Sequence, residues 1–125
     1  MTKQQLARLE AMTGVGKQVK FKDKGGDGHT VMGTIEDEVF HVVSDYKHVI
    51  QRIRFAEDVS WDGSTHAYRT GYWTYDGKGS RIVWGQYTQF LTEIEYRVLL
   101  QKAMDKGWQI FAYSPNTALK GVRDD

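Results

Sequence analysis

Hydrophobic positions recur at two spacings along this chain, and the switches between them mark its elements. Leu6, Leu9 and Met12 repeat at helical intervals behind Thr2, and Gln5 stands three positions after Thr2 in capping-box spacing. A short helix over Thr2 to Met12 is predicted, ended by Gly14, and so short a helix must dock on something to persist. From Gln18 to about Asp23 the period becomes two, with Val19 and Phe21 on one face and Lys20 and Lys22 on the other. Gly25-Gly26-Asp27-Gly28 reads as a turn, followed by a strand over Thr30 to Ile35. The acidic triplet Glu36-Asp37-Glu38 predicts a bend or bulge before Val39 to Val43. Ser44 to Lys47 reads as a hairpin loop leading into a strand over His48 to Phe55. In that strand Val49, Ile53 and Phe55 alternate with Ile50, Arg52 and Arg54, which predicts one buried face and one wet face.

Residues 57–66 are polar and loop-like. A hairpin follows, from Tyr68 to Tyr75, through Asp76-Gly77-Lys78-Gly79, and back over Ser80 to Tyr87. Thr92 with Glu95 repeats the capping-box pattern, and Leu91 and Tyr96 stand at hydrophobic-staple positions. Tyr96, Leu99, Leu100 and Ala103 then trace an apolar helical stripe that Gly107 can end. Trp108 to Phe111 suggests a short last strand, and the chain turns polar after Tyr113. A single β-rich domain over 1–113 with a polar tail over 114–125 is expected. Strands that succeed one another through short turns predict an antiparallel sheet. The expected fold is α+β: a small, strongly bent sheet or SH3-like barrel with a short N-terminal helix, its C-terminal helix covering one opening.

Composition narrows the chemistry. The chain has no cysteine, which excludes disulfides, a thiol nucleophile and thiolate zinc sites. No apolar run approaches the roughly 18 residues of a membrane span, and the polar start is unlike a secretory signal, so a cytoplasmic location is expected. The formal net charge of +1 gives no global attraction to nucleic acid or anionic lipid. Charge is nevertheless segregated, with a basic stretch over 1–24 and an acidic one over 25–62. The aromatic residues are concentrated too: Trp61, Tyr68, Tyr72, Trp73, Tyr75, Trp84, Tyr87 and Phe90 all fall between 61 and 90.

That concentration directs attention to the 68–87 hairpin. A two-residue Gly77-Lys78 loop sets Asp76 opposite Gly79, Trp73 opposite Ile82, Gly71 opposite Trp84 and Arg69 opposite Gln86. One face then carries Trp73, Trp84, Arg69 and Gln86 around the bare Gly71. A ring can stack a planar ligand, a guanidinium can grip phosphate, and an amide can read a polar edge. The competing reading is that Trp84 merely covers Gly71 and the rings are core. Arg52 and Arg54 share a strand face, as do Lys20 and Lys22, and such pairs suit phosphates. Arg97 with Gln101, and Lys102 with Lys106, share sides of the last helix, where they could reach a partner subunit's pocket.

Other constellations lead elsewhere. His41, His48 and Asp45 fall near one another in the drawn hairpin and could hold a divalent metal, although no His-x-x-x-His spacing exists. Glu36, Asp37 and Glu38 could ligate magnesium. Gly14-Val15-Gly16-Lys17-Gln18 fails as a phosphate-binding loop, because Ala11 stands where the first glycine belongs and Gln18 where Ser or Thr belongs. No Gly-x-Ser-x-Gly is present.

The run Tyr68-Arg69-Thr70-Gly71-Tyr72-Trp73-Thr74-Tyr75, the strand Ile82-Val83-Trp84-Gly85-Gln86-Tyr87 and the capped helix from Leu91-Thr92-Glu93 to Gly107-Trp108 resemble the Thoeris anti-defence family of small phage proteins in layout. The resemblance implies a non-enzymatic oligomer that sequesters a cyclic ADP-ribose signal in a pocket shared with a neighbour's helix. No site residue is carried over from it. The leading expectation from the residues themselves is a binding protein for a nucleotide-like, phosphate-bearing small molecule, without a cofactor. Trp73 or Trp84 would stack the base, Arg69 with Arg54 or Arg97 would meet phosphate, and Gln86 would read an edge. Homo-oligomerisation fits the aromatic load. A nucleic-acid-binding or protein-blocking module is the alternative, and a metal-dependent hydrolase using Glu36, Asp37, His41 or His48 the third reading.

Overall fold

A computed structural model describes residues 1–22, 30–56, 63–86 and 89–108. Helix α1 (Lys3–Ala11) precedes strands β1 (Gln18–Lys22), β2 (Thr30–Val43), β3 (Tyr46–Phe55), β4 (His66–Tyr75) and β5 (Ile82–Gly85), and helix α2 (Glu93–Asp105) follows. The strands form one antiparallel sheet in sequence order, curled into a half-barrel. The expected α+β class is therefore the observed one. Neither described helix is long and apolar enough to cross a membrane. The expected turn at 25–28, much of the 57–66 loop, the last strand beyond Trp108 and the polar tail lie outside the described residues.

Both helices begin as the sequence dictates. Thr2 and Thr92 each accept a hydrogen bond from the backbone N–H three residues on, and Gln5 and Glu95 each reach back to the cap's own N–H. β2 runs through the acidic triplet as one strand, and its register with β3 slips between Ile35 and Asp37. The expected bulge is there. Ser44-Asp45 forms a two-residue turn closed by the Val43–Tyr46 pair, with Ser44 at φ 54°. The loop is thus shorter than the expected Ser44–Lys47.

The helices lie on opposite faces of the sheet. Leu9 of α1 packs with Val49 and Trp73, flanked by Met12, Phe40, Tyr75, Ile82 and Trp84. On the other face Leu99 and Ala103 of α2, with Trp108 behind them, pack on Val39 and Ile50, flanked by Tyr68, Leu91 and Leu100. Tyr96, expected in that stripe, is exposed. β3 is therefore buried on both sides along most of its length, not on one as its alternation suggested. Arg52 and Arg54 give that face its wet character in the sequence, but Ile50 on the same face lies beneath α2.

The β4–β5 hairpin corrects the expected register by two residues. Tyr75, not Trp73, faces Ile82, and Trp73 faces Trp84. The cause is Asp76. Its carboxylate accepts from the Lys78 and Ser80 N–H groups at 3.2 and 3.0 Å, and its N–H donates to Arg81 O at 2.8 Å, which makes a longer turn than Gly77-Lys78. A shift of two preserves which face every side chain takes. A Cβ at Gly71 would accordingly collide with the Trp84 indole, and one at Gly85 with the Tyr72 ring on the opposite face. Each glycine is the gap into which a ring lies.

Candidate functional site

The face beneath α1 carries a row of polar side chains where an apolar layer would ordinarily be. Gln51, completely buried, stands between Val49 and Ile53 on β3. Its Nε2 donates to Glu38 Oε2 at 2.7 Å across the β2–β3 pair. Its Oε1 accepts from Arg69 Nε and Nη2 at 3.0 and 2.7 Å across the β3–β4 pair. The Glu38 side chain is 3% exposed, and it also accepts weakly from the Gly14 N–H at 3.4 Å and from Trp73 Nε1 at 3.5 Å. Glu38 reaches this face because the bulge at the preceding positions resets the alternation of β2. Lys47, 2% exposed, closes the row: its ammonium lies 4.0 Å from Glu38 and donates to Glu10 O at 2.8 Å, in the last turn of α1, and to the O of Met12, the C-cap residue. Phe40 lies under that ammonium, 4.1 Å from it.

Arg69 is the outer end of the row. Its guanidinium lies 4.6 Å from the centroid of the Trp84 ring and is only partly buried. Among the described residues no carboxylate comes within ion-pair distance of it. Burial pushes its pKa below the ordinary arginine value, and the charge of Glu38 acts in the opposite sense. A guanidinium stays charged through such a shift. Trp84 Nε1 donates to Gln86 Oε1 at 3.0 Å, a bond that uses the oxygen of the Gln86 amide and not its nitrogen. Lys17, which sequence reasoning set aside with the failed phosphate loop, extends its ammonium to 5.5 Å from the Trp73 ring. Trp73 and Trp84 meet edge to face at 4.9 Å. Two cations therefore each cover one ring of a packed tryptophan pair.

Of the six residues the sequence singled out, Arg69, Trp73, Trp84 and Gln86 share this region. Trp73 is 7% exposed and sits in the core under Leu9, so its stacking face is already occupied. Arg54 and Arg97 are elsewhere. Arg54 is exposed on the opposite face of β3, in register with His66, and Arg97 pairs with Glu93 along α2 at 3.5 Å. Neither can share a ligand with Arg69 inside one chain. Glu38 figures in the sequence only as a magnesium-ligand candidate, and Gln51 and Lys47 not at all, although one signal was available: Lys47 and Gln51 interrupt an otherwise apolar every-other-residue series with Val49 and Ile53.

The carboxylate and histidine candidates separate. Glu36 pairs with Arg52 and, at 3.0 Å, with His66, whose other ring nitrogen lies 2.8 Å from Thr65 Oγ1. Asp37 pairs with Lys106, the C-cap residue of α2, at 3.4 Å, while Glu38 turns inward. Three adjacent carboxylates thus go to three places. His41 and His48 are directly opposed, not diagonal. Among the described residues no group of three or more His, Asp or Glu could hold a metal, so the expected His41–His48–Asp45 set is not assembled. His48 is 4% exposed, its Nδ1 has no partner among the described residues, and burial together with the charge of His41 holds it below the ordinary histidine pKa against the pull of Glu95. An open polar depression of about 450 Å³ lies between the start of α1 and the Asp76 turn, lined by Gln5, Tyr46 and Tyr75 among others, and holds none of the six.

No protein family, no curated protein and no solved structure matches the chain.

Proposed function

We propose that this chain is a non-enzymatic binding protein for a nucleotide-like, phosphate-bearing small molecule, with Arg69 as the anion contact. One observation carries the reading. A half-buried guanidinium, fixed by two hydrogen bonds to Gln51 and by the Trp84 ring, has N–H donors to spare and no described carboxylate partner. Burying a cation costs free energy unless an anion or strong acceptors compensate. Gln51 supplies one neutral oxygen, and a ligand phosphate or carboxylate supplies the rest in the two-pronged geometry that guanidinium favours. Gln86 lends an amide donor beside it, and Lys17 a second positive charge. Arg54 and Arg97 are left out of the site. The likeness to the Thoeris anti-defence proteins extends the proposal to sequestration, in which tight binding without turnover is the whole activity.

The test is mass spectrometry of small molecules released by denaturing the purified protein after incubation in nucleotide-rich cell extract. A single phosphate-bearing species, recovered from the native chain and lost with Arg69→Ala, supports the reading. A folded protein that retains none from such an extract contradicts it.

A further inference from the structure

We infer that α1 is a strap competing with the ligand: it closes over Trp73 and the Lys47 end of the polar row, and lifts when a ligand ring takes its place. The inference rests on the reading of Arg69 as the anion contact and concerns how that site is regulated. A nine-residue helix is too short to persist unaided, so its seat decides whether it stays. That seat is narrow. One side chain, Leu9, is completely buried, against Val49 and Trp73. Met12, just past its end, packs beside Leu9, Arg8 lies over the Tyr75 ring, and the remaining attachments are hydrogen bonds: Tyr75 Oη donates to Gln5 O at 2.8 Å, Gln5 Nε2 approaches Gly79 O at 3.5 Å, and Lys47 holds the Glu10 and Met12 carbonyls.

The Lys47 contact shows what α1 substitutes for. Carbonyl oxygens at a helix C-terminus carry partial negative charge, and here two of them occupy the place beside a buried ammonium that anionic ligand oxygens would fill. Once they leave, Lys47 retains Glu38 as its described charged neighbour and joins Arg69 and Lys17 as a third cation on the same face. Lifting α1 also bares the Trp73 ring now covered by Leu9.

The chain supplies a hinge in the right place. Beyond Gly16 it is pinned to the sheet, because Gly16 N–H donates to Ile35 O at 2.7 Å and Ile35 N–H donates to Lys17 O at 2.9 Å. Upstream of that pin Gly14 is itself held, buried beside Gln51 and Ile35, donating to Glu38 at 3.4 Å and accepting from the Lys17 N–H at 3.0 Å, so the hinge falls at the exposed Thr13, between Met12 and Gly14. Rotation there moves α1 without disturbing the strands.

The experiment is hydrogen exchange on the unaltered chain with ADP as probe, paired with ADP affinity of Leu9→Ala. Bound ADP should speed exchange of the α1 amides while slowing it around Gln51 and Arg69. Leu9→Ala should bind ADP about tenfold more tightly, because the open form no longer has to be drawn from a minor population. Slower exchange in α1 with ADP bound overturns the strap and leaves the Arg69 reading standing, as does weaker binding by Leu9→Ala. If Leu9→Ala does not fold, exchange in the unaltered chain decides alone. Absence of ADP binding to the unaltered chain and to Leu9→Ala overturns both.

Discussion

Gln51 is hydrogen-bonded at both ends of its amide to groups of opposite charge, so its oxygen must face Arg69 and its nitrogen Glu38. No apolar residue of similar volume can serve both. Gln51→Leu leaves a buried carboxylate and a half-buried guanidinium each short of a partner, and a cost of about 1–3 kcal/mol is expected by urea unfolding. His48 makes the other residue-scale case. It is buried beside His41, Glu95, Tyr46 and Tyr72, and its pKa in the folded chain lies below the 6.5 of the free side chain. Protons therefore bind the unfolded chain more readily, so this residue's contribution to stability is intact above pH 6.5 and is lost as pH falls through the folded value. Unfolding free energy measured from pH 7.5 down to pH 5 should decline, and less steeply in His48→Gln. Identical pH slopes in the two proteins would remove His48 from the account.

At the scale of elements, the β4–β5 hairpin and the two caps carry most of the specification. Gly71→Ala forces a methyl into the Trp84 indole, and overpacking of this kind costs about 1–3 kcal/mol. Its melting temperature should fall, and combining it with Trp84→Ala should recover part of the loss. Thr92→Ala removes one half of the α2 capping box and should cost about 1 kcal/mol by thermal unfolding. These elements were legible in the sequence because their signals are local: Thr-x-x-Gln, Thr-x-x-Glu, period-two runs and an acidic triplet at a bulge. The hairpin register was not, since the Asp76 carboxylate decides the turn and the Gly77-Lys78 pair does not. The facing of its residues survived because the error was an even number. What lay beyond the sequence was which element covers which face. Trp73 looked available for stacking only until Leu9, 64 positions away in the chain, was placed over it.

For the whole molecule, two helices on opposite faces of one curled sheet divide the chemistry. The α2 face collects His41, His48, the Glu36–Arg52–His66 contacts and the exposed Arg54. The α1 face collects the tryptophan pair, the Glu38–Gln51–Arg69 row and the cations Lys17 and Lys47. A net charge of +1 does not favour tracking a long phosphate backbone, but one compact anionic ligand needs only the local cations of the α1 face. Calorimetric titration of ADP into the native chain and into Arg69→Lys at matched ionic strength tests this most directly. Lysine keeps the charge but loses the planar, Gln51-held geometry over Trp84. Saturable binding by the native chain is expected, with affinity at least about tenfold lower in Arg69→Lys and both proteins equally folded. Equal affinity in the two, or no binding by the native chain, would contradict it.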